Sequence, residues 1–310
     1  MDASIPDLLR LLVVPALGWA AIRDWHTRRV TNDLWPPFVV LGAVLLLWEG
    51  LVALGTPNGF RWFAVQVAFS LLFIVPLAYA FWYVGGFGGA DARALMVLAV
   101  LMPTYPHYEV AGHALPAVQT VLGVFSMTVL TNAVLIGLTY PVFLGARNAL
   151  AGEFSYVMFV GRRLPVGRLT DTHGSLLEGE SGFTRSGLDL DALRMYLRWR
   201  GVTLDELRAD TALRDPDTLP AEANDPTDGA VATDGSGDPW GAAAFLEDID
   251  SSAYGTTPAQ LREGLDIVTE QDDVWVTPGV PFIVPLFVGL LVALTGGDVL
   301  QYALEATGFV

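Results

Sequence analysis

Residues 61–93 read RWFAVQVAFSLLFIVPLAYAFWYVGGFGGADAR, with no charged side chain between Arg61 and Asp91. A helix needs about 20 predominantly apolar residues to cross a bilayer, and the run 61–84 supplies them. Four glycines (Gly85, Gly86, Gly88 and Gly89) then break the run just before a carboxylate. Working outward, further apolar runs occupy 5–23, 35–54, 92–104, 114–145 and 278–296. The expected fold is therefore all-α: a polytopic membrane protein with six transmembrane helices. The fourth, 92–104, is short enough to be tilted or partly re-entrant; the fifth, 114–145, is long enough to extend beyond the bilayer. The first reads as a span and not as a cleavable signal peptide. Asp2 and Asp7 stand where a basic segment belongs, and no small-residue cleavage site follows.

Composition points the same way. Of 310 residues, 53% are hydrophobic and 16% charged, with a mean hydropathy of +0.46; a soluble domain carries about 25% charge. Cysteine is absent, which excludes disulfides, thiol catalysis, iron–sulfur clusters and cysteine zinc sites. His26, His107, His113 and His173 are scattered, so no metal and no cofactor is expected. Acids number 33 against 17 basic residues, all arginine, for a net charge of −16. That balance argues against a nucleic-acid partner, because phosphate contacts need basic patches. Codon bias explains a missing lysine but not excess acid; a lysine-free acidic surface fits a halophilic archaeal source, where salt screens self-repulsion.

The charge is uneven. Residues 147–273 hold 11 arginines against 24 acids, and form an acidic insert between a membrane segment 1–146 and a last segment 274–310. Arg23, Arg28, Arg29, Arg93, Arg147, Arg162, Arg163 and Arg168 fall on one side of the six-span arrangement. The positive-inside rule makes that side cytoplasmic, with the insert, and leaves both termini outside. Inside the insert, 189–200 has helical spacing stopped by Gly201, and Thr203 with Glu206 reads as a capping box opening a second helix. Residues 240–250 and 258–270 read as two further short helices. The stretch 215–239, rich in Asp, Pro, Gly and Thr, reads as a disordered linker. A loose helix-turn-helix likeness over 193–208 is set aside because the segment is acidic.

Two carboxylates carry candidate chemistry. Asp24 and Asp91 end the first and third spans on the same membrane face. An ionised carboxylate at membrane depth costs about 2.5–3.5 kcal/mol, so such residues tend to mark a function; the bland alternative is an interfacial acid beside Arg23 or Arg93. Two carboxylates sharing a site hold one proton between them. One then takes a proton from water while the other polarises a carbonyl, which is aspartyl hydrolysis. The glycines beside Asp91 leave room for an extended substrate. Asp33 is the first substitute if Asp24 fails.

These residues resemble the type IV prepilin peptidases, membrane aspartyl proteases of the GxGD class, and most closely the archaeal preflagellin and prepilin peptidases. The likeness rests on Asp24 with Arg28, Arg29, Val30 and Asn32, on Gly88-Gly89-Ala90-Asp91 with Arg93-Ala94-Leu95, and on Pro281-Phe282-Ile283-Val284-Pro285. It spans the membrane body and not the insert. Ala90 stands where the family has the second motif glycine, Arg93 where lysine is usual, and Thr31 where proline often precedes the asparagine. The resemblance implies Asp24 and Asp91 as the catalytic pair, with Gly88, Gly89, Ala90, Arg28, Arg29 and Asn32 toward substrate. It implies substrates that are prepilin- or preflagellin-like subunits, cut between a basic leader and a hydrophobic helix at the cytoplasmic face. N-methylation of the product is not expected, since the bacterial methyltransferase region and its cysteines are missing. The competing readings are an ion-coupled transporter using buried carboxylates and a membrane scaffold with interfacial acids. The insert reads as a solvation device ahead of a guide for basic leaders.

Overall fold

Ser4 caps the first helix, its hydroxyl accepting the Asp7 N–H at 3.2 Å, and Pro6 sits in the first turn where no N–H is needed. In this computed structural model, residues 2–27, 30–84, 86–179, 182–184, 187–219, 242, 245–246, 256–277 and 281–308 are described. Helices α1 (Ile5–Arg10) and α2 (Val13–Thr27) lead to a 3-10 turn, Asn32–Leu34, and α3 (Trp35–Ala53). Next come α4 (Gly59–Phe69), a π turn Ser70–Ile74 and α5 (Val75–Tyr83), then α6 (Gly89–Leu101). Pro76 opens α5, and the π turn just before it absorbs the hydrogen bond that a proline cannot donate. Ser70 Oγ there donates to Ala99 O at 2.7 Å and pairs with Ser126 Oγ at 2.7 Å.

Helix α7 (Phe125–Leu150) follows a stretch that is not helical. Strands β1 (Asp2–Ala3), β2 (Tyr108–Val110) and β3 (His113–Leu115) form an antiparallel sheet in that order. The expected fifth span, 114–145, is therefore displaced: it runs Phe125–Leu150, and 104–124 is loop and β-ribbon. Pro103, Pro106, Gly112, Pro116 and Gly123 punctuate that stretch, which explains why its apolar residues do not continue a helix. The fourth run, expected over 92–104, begins at Gly89 and stops at Leu101, two residues before Pro103.

Two units emerge, Met1–Tyr140 with Val280–Val310, and Pro141–Gly279. In the first, the segments Ile5–His26, Asn32–Ala53, Gly59–Tyr83 and Phe125–Leu150, the last continuing into the second unit, are long and apolar enough to cross a membrane. Helix α6 and the closing helix Ile283–Thr295 have 13 residues each, fewer than a perpendicular crossing needs. Both are central: Leu95, Leu98, Leu101, Ile283, Leu286 and Leu290 are fully buried. The closing helix packs along α2, and α3 along α6. A Cβ on Gly289 would lie 2.7 Å from Ala133 N, so glycine is what allows the closing helix to meet the α7 backbone. Arg10 is 1% exposed. It donates to Leu101 O at 2.9 Å, to Asp7 at 3.1 Å and to Glu49 at 2.5 Å.

The second unit mixes helix and sheet. Strand β4 (Arg162–Pro165) pairs antiparallel with β8 (Asp273–Thr277), and β5 (Ser175–Leu176) pairs with the other edge of β8. A separate ribbon joins β6 (Glu178–Gly179) to β7 (Gly182–Phe183). The helices agree with the expectation of a mostly helical insert, but the expectation of an all-α chain is corrected by these strands: β4 and β8 lie about a hundred residues apart, beyond any local periodicity. Helix α8 (Leu190–Arg200) ends at Gly201 in the left-handed conformation, φ 74°. The Thr203–Glu206 capping box opens α9 (Leu204–Ala209). A helix also covers Pro258–Glu270; of the helix expected over 240–250, Ala242, Phe245 and Leu246 are described as helical and the rest lies outside the described residues. Tyr196, Trp199, Phe245, Leu261 and Leu265 form the buried core. The linker expectation is corrected at its start. Pro216–Thr218 is a 3-10 turn capped by Asp215, and buried Arg200 holds it by donating to Thr218 Oγ1 at 2.6 Å. Residues 220–239 lie outside the described residues.

Candidate active site

Asp24 lies in the last turn of α2 and Asp91 in the first turn of α6. Both are 7% exposed, so neither is the cytosol-wetted acid of the interfacial reading. The charge of Asp24 acts on Asp91, which puts the two carboxylates in one electrostatic neighbourhood within the first unit. Arg23 stacks its guanidinium over the Trp19 ring at 5.1 Å. Asp33 is exposed in the Asn32–Leu34 turn, unlike Asp24.

The local sequence explains how Asp91 is held. Gly88 is extended, φ −65° and ψ 158°, and caps α6. Its N–H donates to Asp91 Oδ2 at 3.0 Å, the back-reaching half of a capping box. A Cβ on Gly88 would approach that same oxygen to 3.0 Å, so a bare backbone keeps this side of the carboxylate open. The other oxygen, Oδ1, accepts the Ile283 N–H at 2.7 Å. Ile283 is the first residue of the closing helix, whose leading N–H groups have no partner within the helix. Asp91 thus caps two helix N-termini at once, and both dipoles point their positive ends at it.

The structure brings Gly88, Gly89 and Ala90 to Asp91 in one turn: Gly88 is exposed, and Gly89 and Ala90 are half-buried. Arg93, exposed, folds back to donate to Gly89 O at 3.3 Å. Asn32 is exposed at the head of its 3-10 turn, and Arg28 and Arg29 lie outside the described residues. Sequence reasoning did not assign the closing helix a place at this site. Its backbone N–H meets Asp91, and Phe282 stacks on Phe87 at 4.6 Å, with Phe81 stacked on Phe87 at 5.0 Å. The available signal was Pro281 with Pro285: prolines mark a helix start, where free N–H groups gather. Among the described residues, no three His, Asp or Glu side chains gather as a metal-ligating group.

Comparison with known proteins bears on this geometry. Residues 11–142 match the type IV leader peptidase family, Peptidase A24. Residues 244–299 match the archaeal Peptidase A24 C-terminus, type II. The chain is 26% identical over 164 residues to a preflagellin peptidase of Methanocaldococcus jannaschii, covering 50% of this chain and 67% of that one. All three similarities are to peptidases, against the transporter reading that the buried carboxylates left open.

Proposed function

The chain belongs to the type IV leader peptidase family, archaeal type, and is a membrane protease of the prepilin/preflagellin peptidase kind; from that premise we propose that Asp24 and Asp91 are its catalytic pair. The observation that carries the proposal is a pair of buried carboxylates from two different helices of one unit, with Asp91 held at the N-termini of two helices. Such a pair shares one proton. The ionised member takes a proton from water, whose oxygen attacks the scissile carbonyl carbon. The protonated member gives its proton to the carbonyl oxygen, and a tetrahedral diol forms. Collapse breaks the C–N bond as the first carboxyl passes its proton to the leaving nitrogen and the second regains its own from the diol. The N–H groups of Gly88 and Ile283 fix the position of Asp91 through this cycle.

The substrate is a preflagellin- or prepilin-like subunit, cut between a basic leader and its hydrophobic helix. That helix lies in the bilayer and leaves the scissile bond at the cytoplasmic face. Gly88, Gly89 and Ala90 admit the extended segment beside Asp91, and Arg28, Arg29 and Asn32 take part in binding it. The chain crosses six times, with α6 and Ile283–Thr295 as short crossings shielded by the longer helices. Both termini are then outside, and 147–273 is a cytoplasmic acidic insert whose charge keeps it solvated in concentrated salt.

The test is cleavage of a basic-leader preflagellin in detergent by Asp24→Asn and Asp91→Asn variants, with folding checked by size-exclusion profile. Each is expected to lose cleavage and keep its profile. Near-parental cleavage by either variant overturns the pair.

A further inference from the structure

Between Leu150 and Gly161 the chain makes an ordered turn whose apolar side chains mostly face outward. Asn148, 1% exposed, holds it by donating from Nδ2 to Met158 O and Gly161 O, each at 2.7 Å. Glu153 N returns to Asn148 O at 2.9 Å, and Gly161 N bonds Val157 O at 2.8 Å. Val157 alone turns fully inward, against Leu177 and Trp275. Leu150 is left 91% exposed, and Phe154 and Tyr156 76% each. Phe159 and Val160 are about half exposed. The turn is thus held by its backbone with its aromatic rings presented outward, although Tyr156 also touches the Phe183 ring edge-on at 5.0 Å.

Charge changes sign at the same place. From 141 to 168 there are four arginines (Arg147, Arg162, Arg163 and Arg168) and one acid, Glu153, in a chain of net −16. Arg147, Arg163 and Arg168 are exposed; Arg163 lies 3.8 Å from Asp273 and its charge also reaches Glu178. The turn begins where α7, long and apolar enough to span a bilayer, ends at Leu150. Exposed aromatic and basic side chains directly beyond a membrane helix lie at the depth of the lipid headgroups, where amphipathic rings and arginine are favoured. An exposed patch of this kind marks an interaction site, and continuity with α7 together with the local positive charge identifies its occupant.

We propose that residues 147–168 form a membrane-docking collar, with Phe154, Tyr156 and Phe159 seated in the bilayer interface and the arginines on anionic lipid headgroups. It fixes the root of an otherwise acidic unit to the surface that would repel it. The proposal needs only that α7 spans the membrane and does not depend on the catalytic pair.

The absence of cysteine makes the experiment direct. Leu150→Cys and Phe154→Cys, each labelled with a small fluorophore, are placed in vesicles of equal phosphatidylglycerol and phosphatidylcholine carrying a shallow nitroxide lipid. Thr211→Cys, exposed in the same unit, is the control. Probes at 150 and 154 are expected to be quenched at least about two-fold more than the control. Equal quenching at all three overturns the docking, as does shielding of 150 and 154 from both the lipid nitroxide and an aqueous quencher, which would put protein there instead. In the Phe154→Cys background, joint Arg147→Gln, Arg163→Gln and Arg168→Gln should reduce quenching to its level in pure phosphatidylcholine vesicles. The corresponding Lys changes should preserve it. Quenching unaffected by the Gln changes overturns the headgroup contact.

Discussion

In the unit of α1–α6, the first part of α7 and the closing helix, Leu47, Leu51 and Leu72 point outward with 70% or more of their surface uncovered, while Arg10, Ser70, Asp24 and Asp91 are buried. In the Pro141–Gly279 unit, apart from its outward-facing 150–160 turn and the buried Asn148 and Arg200, the order is reversed. Trp199, Tyr196 and Phe245 are fully buried, and acids such as Asp272, 95% exposed at its side chain, face outward. The same chain therefore solves solvation twice. Lipid is as apolar as leucine, so the first unit gains specificity inside from polar contacts and close packing. Away from that turn, water drives the second unit to hide its rings. The comparison teaches that buried charge has two meanings in one unit: Arg10 meets the opposite charges of Asp7 and Glu49, whereas Asp91 is held by backbone N–H groups.

That distinction can be broken by substitution. Asp24→Asn and Asp91→Asn should each lower kcat/KM for leader cleavage by at least about 10²–10⁴-fold, the range for a lost acid or base. Asp24→Asn should leave the thermal midpoint unchanged or raised, since it removes a buried charge facing another. A fall in both activity and midpoint would make Asp24 structural. Arg10→Met should do the opposite. It strands Asp7 and Glu49 in a buried site, which costs about 3–5 kcal/mol, while per-molecule activity of the folded fraction persists. Denaturant unfolding in detergent reads the first quantity and leader cleavage the second; unchanged stability would show that water reaches this cluster.

The contrast between the two cores predicts a further asymmetry. Trp199→Ala removes a fully buried ring and should destabilise the insert by about 3–5 kcal/mol. Leu72→Ala, at a position 76% exposed in the first unit, should change unfolding by no more than about 0.5 kcal/mol. Equal effects would mean that the outward leucines are covered by protein and not by lipid.

What was legible follows from range. The charge-free run before Asp91 is a local signal, and so are Gly201 and the Thr203–Glu206 box, which the structure reproduces as a left-handed cap and a helix start. The ribbon at 108–115 was readable in principle, since Pro103, Pro106 and Pro116 break the helical pattern, but apolar content outweighed them. Strand β8 was not readable. Val274, Trp275 and Val276 are all buried, covered on both faces, and a continuous apolar triplet is as compatible with a buried helix. At the candidate site, Asp91 announces itself as a carboxylate after an apolar run. The Ile283 N–H that holds it does not, because every residue but proline carries such a group and only the fold selects which one is aimed at a carboxylate.

The smallest expected effect tests whether the insert follows the rules of a water-facing domain even at a partly buried cap. Asp189 caps α8, accepting the Asp191 N–H at 2.8 Å. Burial raises its carboxyl above the usual value, and outweighs the bonds from the backbone and Ser175 and the charges of Arg194 and His173 that favour ionisation. A carboxyl raised on folding contributes stability below its unfolded value and loses it as pH rises through the folded one. Asparagine caps as well as aspartate and carries no charge to bury. Asp189→Asn should therefore match the parent in acid and become the more stable of the two as pH climbs from about 4 upward. Hydrogen exchange of the α8 amides across that range measures it locally. A difference that shrinks with rising pH would show that Arg194 and His173 prevail over burial, and that even this cap is stabilised by its charge.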